Sequence, residues 1–218
     1  MAKVFDDELI SLKSDFMKMA ALVGEAVSKA GNSFINHDVD LAKSVIESDH
    51  QINDLQIHLE KRSFELIALY QPVTTDLREV VGILKSVTDL ERAGDHARNV
   101  SRSTIKIKGQ DRIAEVEKVI ATLVNEVSKE YNDSIDAYNM ADETKAVETA
   151  KTFDEEISDL YNGIASPSYR TMADNPAILN SAIIYLNVAK DLSRISDYST
   201  NMCEWTVYLA TGKFIELN

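Results

Sequence analysis

Apolar residues recur at helical spacing along nearly the whole chain. Val45, Ile52, Leu59 and Leu66 stand at strict seven-residue intervals, the row on which helices of a bundle pack. Leu77, Val80, Val81, Leu84 and Val87 continue the pattern, as do Ile113, Val116, Ile120, Leu123 and Val127. A further stripe reads Val147, Ala150, Phe153, Ile157, Leu160 and Ile164. Punctuation divides these stripes into six long helices. The first is expected from about Asp6 to Ala30, with Gly31-Asn32 as its C-cap pair. The second runs from Asp38 to Tyr70 and ends at Gln71-Pro72, since proline disfavours helix just before itself. Pro72 is expected to open the third helix, which reaches about Lys106. The fourth spans about Asp111 to Met140, and the fifth starts near Asp142 with a kink or break expected at Ser166-Pro167. The sixth follows Asn175-Pro176 and stops at Gly212. Helices of ~30 residues extend about 45 Å, so long bundles are predicted.

Composition supports an all-α fold. Only 7 Gly and 3 Pro occur in 218 residues, which leaves little room for the turns of an all-β chain. No apolar run approaches the ~18 residues of a membrane span, so the protein is expected to be peripheral to a membrane at most. The N-terminal Met-Ala-Lys-Val-Phe-Asp-Asp-Glu-Leu lacks a basic region followed by an apolar stretch, so no secretory leader is expected. The single cysteine, Cys203, cannot form an internal disulfide and reads as a small core residue. A net charge of −13 has the wrong sign for a nucleic-acid binder and is compatible with cation binding.

Laying the sixth helix on the third exposes a repeat. Asp89, Leu90, Arg92, Asp95 and Asn99 recur as Asp191, Leu192, Arg194, Asp197 and Asn201, 102 positions later. The second and fifth helices agree independently: Asp49, Ile52, Asp54 and Leu55 recur as Asp154, Ile157, Asp159 and Leu160. The chain therefore reads as two copies of one three-helix unit, residues 1–109 and 110–218.

The acidic residues carry the candidate chemistry. Glu91 and Asp95 lie four apart and share a helix face with Leu84. Asp49 and Asn53 hold the corresponding face of the second helix. If those helices pack antiparallel, Asp49, Asn53, Glu91 and Asp95 converge. Such an oxygen-rich set suits Mg²⁺, Mn²⁺, Ca²⁺ or iron. The same residues also fit internal ion pairing, with Arg92 and Arg98 as counterions. In the second unit Asp154 and Asp197 persist, but Ser158 and Ser193 replace Asn53 and Glu91. That site is expected to bind a cation weakly or not at all.

Other constellations are poorer. Glu47-Ser48-Asp49-His50 is one Glu-x-x-His string, but a di-iron bundle enzyme needs a second, which the sequence lacks. His50 is expected to face solvent. No phosphate-binding Gly-rich loop, nucleophile elbow or Cys-x-x-Cys pair occurs, so no enzyme motif is found. Arg98, Arg102 and Lys106 form a basic row that complements the helix C-terminus or docks an acidic partner. Trp205, Tyr208 and Leu209 read as core or dimer contacts.

Leu90-Glu91-Arg92-Ala93-Gly94-Asp95-His96-Ala97-Arg98-Asn99 resembles the signature of the PhoU family of phosphate-transport regulators. Gln71 to Arg78, Val45 to Asn53 and Asn201 to Gly212 are similar to it as well. The resemblance implies two tandem pseudo-symmetric three-helix bundles. It implies metal bound by paired acidic motifs on facing helices, here Asp49 with Asn53 and Glu91 with Asp95. The second pairs, Asp154 with Ser158 and Ser193 with Asp197, break the family pattern. It further implies a cytoplasmic, non-catalytic regulator, and a homodimer. Such regulators damp the phosphate-starvation response by binding the phosphate ABC transporter and a sensor histidine kinase. A carboxylate-bridged metal enzyme and a metal-free helical scaffold are the alternatives.

Overall fold

In the computed structural model, residues 2–217 are described, the side chains of Ala2 and Asp154 excepted. Six long helices account for nearly all of them: α1 (Ala2–Ile35), α2 (Val39–Tyr70), α3 (Thr74–Lys106), α4 (Ala114–Met140), α5 (Glu143–Asp174) and α6 (Leu179–Thr211). Asp38 caps α2 by accepting from the amides of Asp40 and Leu41, and Asp142 caps α5 by accepting from Lys145, supplying acceptors to otherwise unpaired first-turn donors. Gly212, in the left-handed conformation, ends α6 as the sequence predicts.

Short connections turn each helix back on its predecessor. α1, α2 and α3 pack as one bundle and α4, α5 and α6 as another, while α3 and α6 run together along their length. The fold is therefore all-α, two tandem three-helix bundles sharing one seam. The seven-residue row of α2 faces the core, with Val45, Ile52, Leu59 and Leu66 all at most 4 % exposed. Cys203 is fully buried, and burial pushes its thiol up to about 12, so it is a packing residue, as expected.

Several predicted boundaries move. α1 does not stop at Gly31 but runs through it to Ile35. The glycine serves a crossing instead: a Cβ there would lie 2.3 Å from Val124 Cγ1 on α4. Pro72 lies before α3, whose first residue is Thr74, because Gln71 is left-handed and the chain remains extended to Val73. α5 continues through Pro167 instead of breaking there; Ser168 and Thr171 donate to the carbonyls of Ile164 and Pro167 in that stretch. Leu84 and Leu77 are only partly covered, and the core face of α3 is set by Val80, Ile83, Val87 and Leu90.

Candidate functional site

Between α2 and α3, the first unit gathers the polar residues singled out in the sequence. Asp49 is 7 % exposed, held on the buried side of α2 by its place between Val45 and Ile52. Its partner is Arg98. One arm of the guanidinium, Nη1, donates to Asp49 Oδ2, and the other, Nη2, forms an ion pair with Asp95, 2.7 Å from its Oδ1. Arg98 can do this because it lies one turn beyond Asp95 on the same face of α3. Asn53 Nδ2 reaches Asp49 Oδ2 at 3.4 Å. Asn53 Oδ1 and Arg98 Nε are buried without a hydrogen-bond partner. Glu91 completes the group: burial holds its carboxyl above the usual range, the charges of Asp95 and Asp49 add to this, and Arg92 and Arg98 oppose it. Asp49, Asn53, Glu91 and Asp95 thus belong to one electrostatic cluster, with Arg98 set between two of its carboxylates.

The donor set suits a hard cation in kind: three carboxylates and an amide oxygen without a partner. Its arrangement does not. Among the described residues, no three His, Cys, Asp or Glu side chains stand together as a metal cage, and a guanidinium bridges Asp49 to Asp95. Arg92, the other counterion named in the sequence, is exposed and lies 3.7 Å from its neighbour Glu91. The basic row divides accordingly: Arg98 turns inward, whereas Arg102 donates to Asn99 at 3.3 Å. His50 is exposed, as predicted.

The second unit differs. The side chain of Asp154 lies outside the described residues. Asp197 pairs with Arg194 of its own helix at 2.7 Å in partial solvent. Ser158, Tyr161, Lys190, Ser193, Arg194 and Asp197 line an open cleft of about 440 Å³. Deeper in this unit, Glu130 of α4 is fully buried and accepts from the hydroxyls of Ser196 and Thr200 on α6. Nothing in the repeat pattern pointed to Glu130, since it lies on the helix the alignment did not reach.

Other repeated residues serve the seam. Asp89 of α3 accepts from Asn201 Nδ2 at 3.1 Å and from Trp205 Nε1 at 3.0 Å, both on α6. Its counterpart Asp191 lies 2.8 Å from His96 Nδ1 of α3, whose ring stacks on Tyr198. Burial raises the Asp89 carboxyl, and its bonds to Asn201 and Trp205 oppose that shift. The recurrence of Asp89 and Asn201 at matching repeat positions was the available signal, although their pairing across the units was not legible from it.

Comparison with known proteins bears on the whole chain. The family described as "PhoU domain" matches twice, at residues 16–104 and 120–206. The chain is 33 % identical over 217 residues to a phosphate-specific transport system accessory protein PhoU homolog of Clostridium acetobutylicum, covering 99 % of this chain and 98 % of that one. It is 32 % identical to the homolog of the same name from Streptococcus pneumoniae over the full length of both. Its fold matches the crystal structure of PhoU from Pseudomonas aeruginosa with a TM-score of 0.91 at 29 % identity, covering 96 % of this chain and 100 % of that one. The Streptococcus pneumoniae phosphate transport system regulatory protein PhoU gives 0.88 at 31 %, covering 98 % and 100 %. With the fold, the repeat and both domain matches in agreement, the chain belongs to the PhoU family.

Proposed function

We propose that this chain is a cytoplasmic accessory regulator of a phosphate-specific transport system, damping the phosphate-starvation response when phosphate is plentiful. The observation that carries this reading is the end-to-end likeness to proteins named as accessories of that system. The partners are the phosphate ABC transporter and a sensor histidine kinase, and the chain is assigned no catalysed step. No helix among the described residues is long and apolar enough to cross a membrane, in keeping with a protein that docks on membrane partners from one side. The test is capture of the transporter ATPase and the kinase cytoplasmic domain by the purified chain, paired with deletion of its gene. Capture of either partner and derepressed phosphate uptake are expected. Absence of binding together with unchanged uptake would remove the reading.

The proposal includes a divalent or iron-type cation at Asp49, Asn53, Glu91 and Asp95, with a weaker counterpart at Asp154 and Asp197. When bound, the cation would offset repulsion among carboxylates on facing helices. Elemental analysis of wild type beside Asp95→Ala tests it, because equal metal in both would take Asp95 out of the site. Homodimerisation is part of the same reading; Ile57 and Phe64, one seven-residue step apart on α2, are 65 % and 60 % exposed and offer apolar surface for it. Light scattering on the eluting protein measures the assembly mass. A metal-free scaffold is the second reading, favoured by the Arg98 bridge. Melting with and without chelator separates the two, since metal bound only by the folded state raises stability.

A further inference from the structure

We propose that the end of the first unit where α2 turns into α3 is a docking surface for a partner protein, which presents an apolar segment flanked by basic side chains. This inference rests on the accessory reading above and supplies its contact surface.

The start of α1, the last turn of α2 and the start of α3 meet at this end, with the rings of Phe5 and Tyr70 5.6 Å apart. Val4, Leu69, Val73 and Leu77 stand exposed around them, Leu69 at 73 % and Val73 at 68 %. Single exposed apolar residues are ordinary, but four gathered at one helix junction form a patch. Val73 is the one that folding explains least. It is the N-cap residue of α3 and makes no side-chain cap, where Ser, Thr, Asp or Asn would serve the first-turn amides better. On either side of it, Gln71 and Thr74 are left-handed, at φ 48° and 51°. That conformation is costly for any residue but glycine, and most of all for a β-branched one. Solvent and capping both disfavour valine here, whereas an apolar partner surface would favour it.

The recess at this junction sets the chemistry of the partner. Phe5, Tyr70, Pro72 and Val73 supply its apolar wall and Asp6 and Asp76 two carboxylates, around about 250 Å³. That is below the ~300–1,000 Å³ of small-molecule sites and suits side chains of a docked protein. Both carboxylates are exposed. The cations Lys13, Arg62 and Arg78 of these three helices are committed elsewhere, to Glu79, Glu8 and the carbonyl of Leu209. Carboxylates rimming an apolar patch attract a basic partner. They disfavour a second copy, since a two-fold contact would bring the same carboxylates together, and they disfavour an anionic lipid surface for the same reason.

The second unit closes its own version of the turn. Asn175-Pro176 stands where Gln71-Pro72 does, but Ala177 follows in place of Val73. Asn175 is extended and accepts from the amide of Ala177, and Ile178 is buried. Arg78, at the start of α3, reaches Leu209, near the end of α6, so the two turns lie at opposite ends of the molecule. The second therefore serves as a control for the first.

The experiment measures binding of purified transporter ATPase and kinase cytoplasmic domain to the immobilised full chain, at low and high salt. Val73→Asp is expected to weaken capture by about tenfold or more, a difference of about 1.4 kcal/mol or greater. It should nevertheless melt at or above wild type, because aspartate caps α3. Asp76→Asn should weaken capture less and flatten its salt dependence. Leu179→Asp, at the start of α6, should bind as wild type does. Unchanged capture by Val73→Asp overturns the surface and leaves the accessory reading standing. Capture of neither partner by wild type removes that reading and the inference with it. An equal loss in Leu179→Asp also overturns the surface, since the end of the molecule would then not matter. Val73→Ser repeats the test without added charge, and melting of both Val73 variants below wild type would assign the valine to folding and overturn the proposal. Light scattering and sedimentation with phosphatidylglycerol vesicles test the other occupants. A wild-type dimer that Val73→Asp splits, or vesicle binding that it abolishes, would reassign the surface and overturn the proposal.

Discussion

In the first unit, the polar groups between the helices are carboxylates with one arginine clamped among them. In the second, the positions aligned with Asn53 and Glu91 are serines beside an open cleft, and a fully buried carboxylate, Glu130, comes from α4 and meets hydroxyls. Backbone architecture is shared and the intra-unit electrostatics are not. Of the five identities between α3 and α6, Asp89 with Asp191 and Asn99 with Asn201 include three of the residues that tie these helices together. Duplication kept the seam on which both bundles depend, while the polar interior of each unit diverged.

The sharpest way to break this comparison is Arg98→Ala. It leaves Asp49 buried without its charged partner, so a loss of about 3–5 kcal/mol is expected in denaturant unfolding of metal-free protein. A loss under about 1 kcal/mol would show that Arg98 is no clamp. Asp89→Ala follows, because it strips acceptors from both Asn201 and Trp205; about 1–3 kcal/mol is expected. Asp191→Ala removes one bond to His96 and should cost less. Equal losses would mean the seam is symmetric after all.

Glu91→Gln sharpens the contrast through pH. The folded-state pKa of Glu91 is raised above its unfolded value, chiefly by burial. Its protonated form therefore favours the fold below the unfolded pKa, and that advantage is lost as pH rises through the folded pKa. At neutral pH the substitution should stabilise metal-free protein, by under about 1 kcal/mol. Below about pH 4 the difference should vanish, since both side chains are then neutral. Thermal melting across that range measures it, and destabilisation at neutral pH would contradict the assignment. Smallest is Arg194→Ala in the second unit: its pair with Asp197 is largely solvated, so a change within about 0.5 kcal/mol is expected.

Most of the fold could be read from local signals. The row Val45, Ile52, Leu59 and Leu66, the Asp38 and Asp142 caps and the Gly212 stop each act within a turn or two, and each behaves as its chemistry dictates. Gly31 misled because a glycine that ends a helix and one that admits a neighbouring helix look identical in sequence; the deciding atom, Val124 Cγ1, lies 93 residues away. At the site, helical spacing brought Glu91 and Asp95 to one face and aligned Asp49 with Asn53. It could not choose between metal and arginine, because Arg98 points inward or outward according to a side-chain torsion that spacing does not set. The Asp89 bonds were hidden for the reason that hid Val124, since their donors belong to the other unit.

Trp205 is the sole tryptophan of the chain, and its indole N–H is spent on Asp89 across the seam, with Phe214 packed edge-on at 5.0 Å. The molecule thus carries its own optical gauge. Intrinsic fluorescence excited selectively at the red edge comes from one chromophore placed where the two bundles meet. Emission wavelength and quenching by acrylamide would report opening of that junction alone, without a label, when a partner or a cation is added.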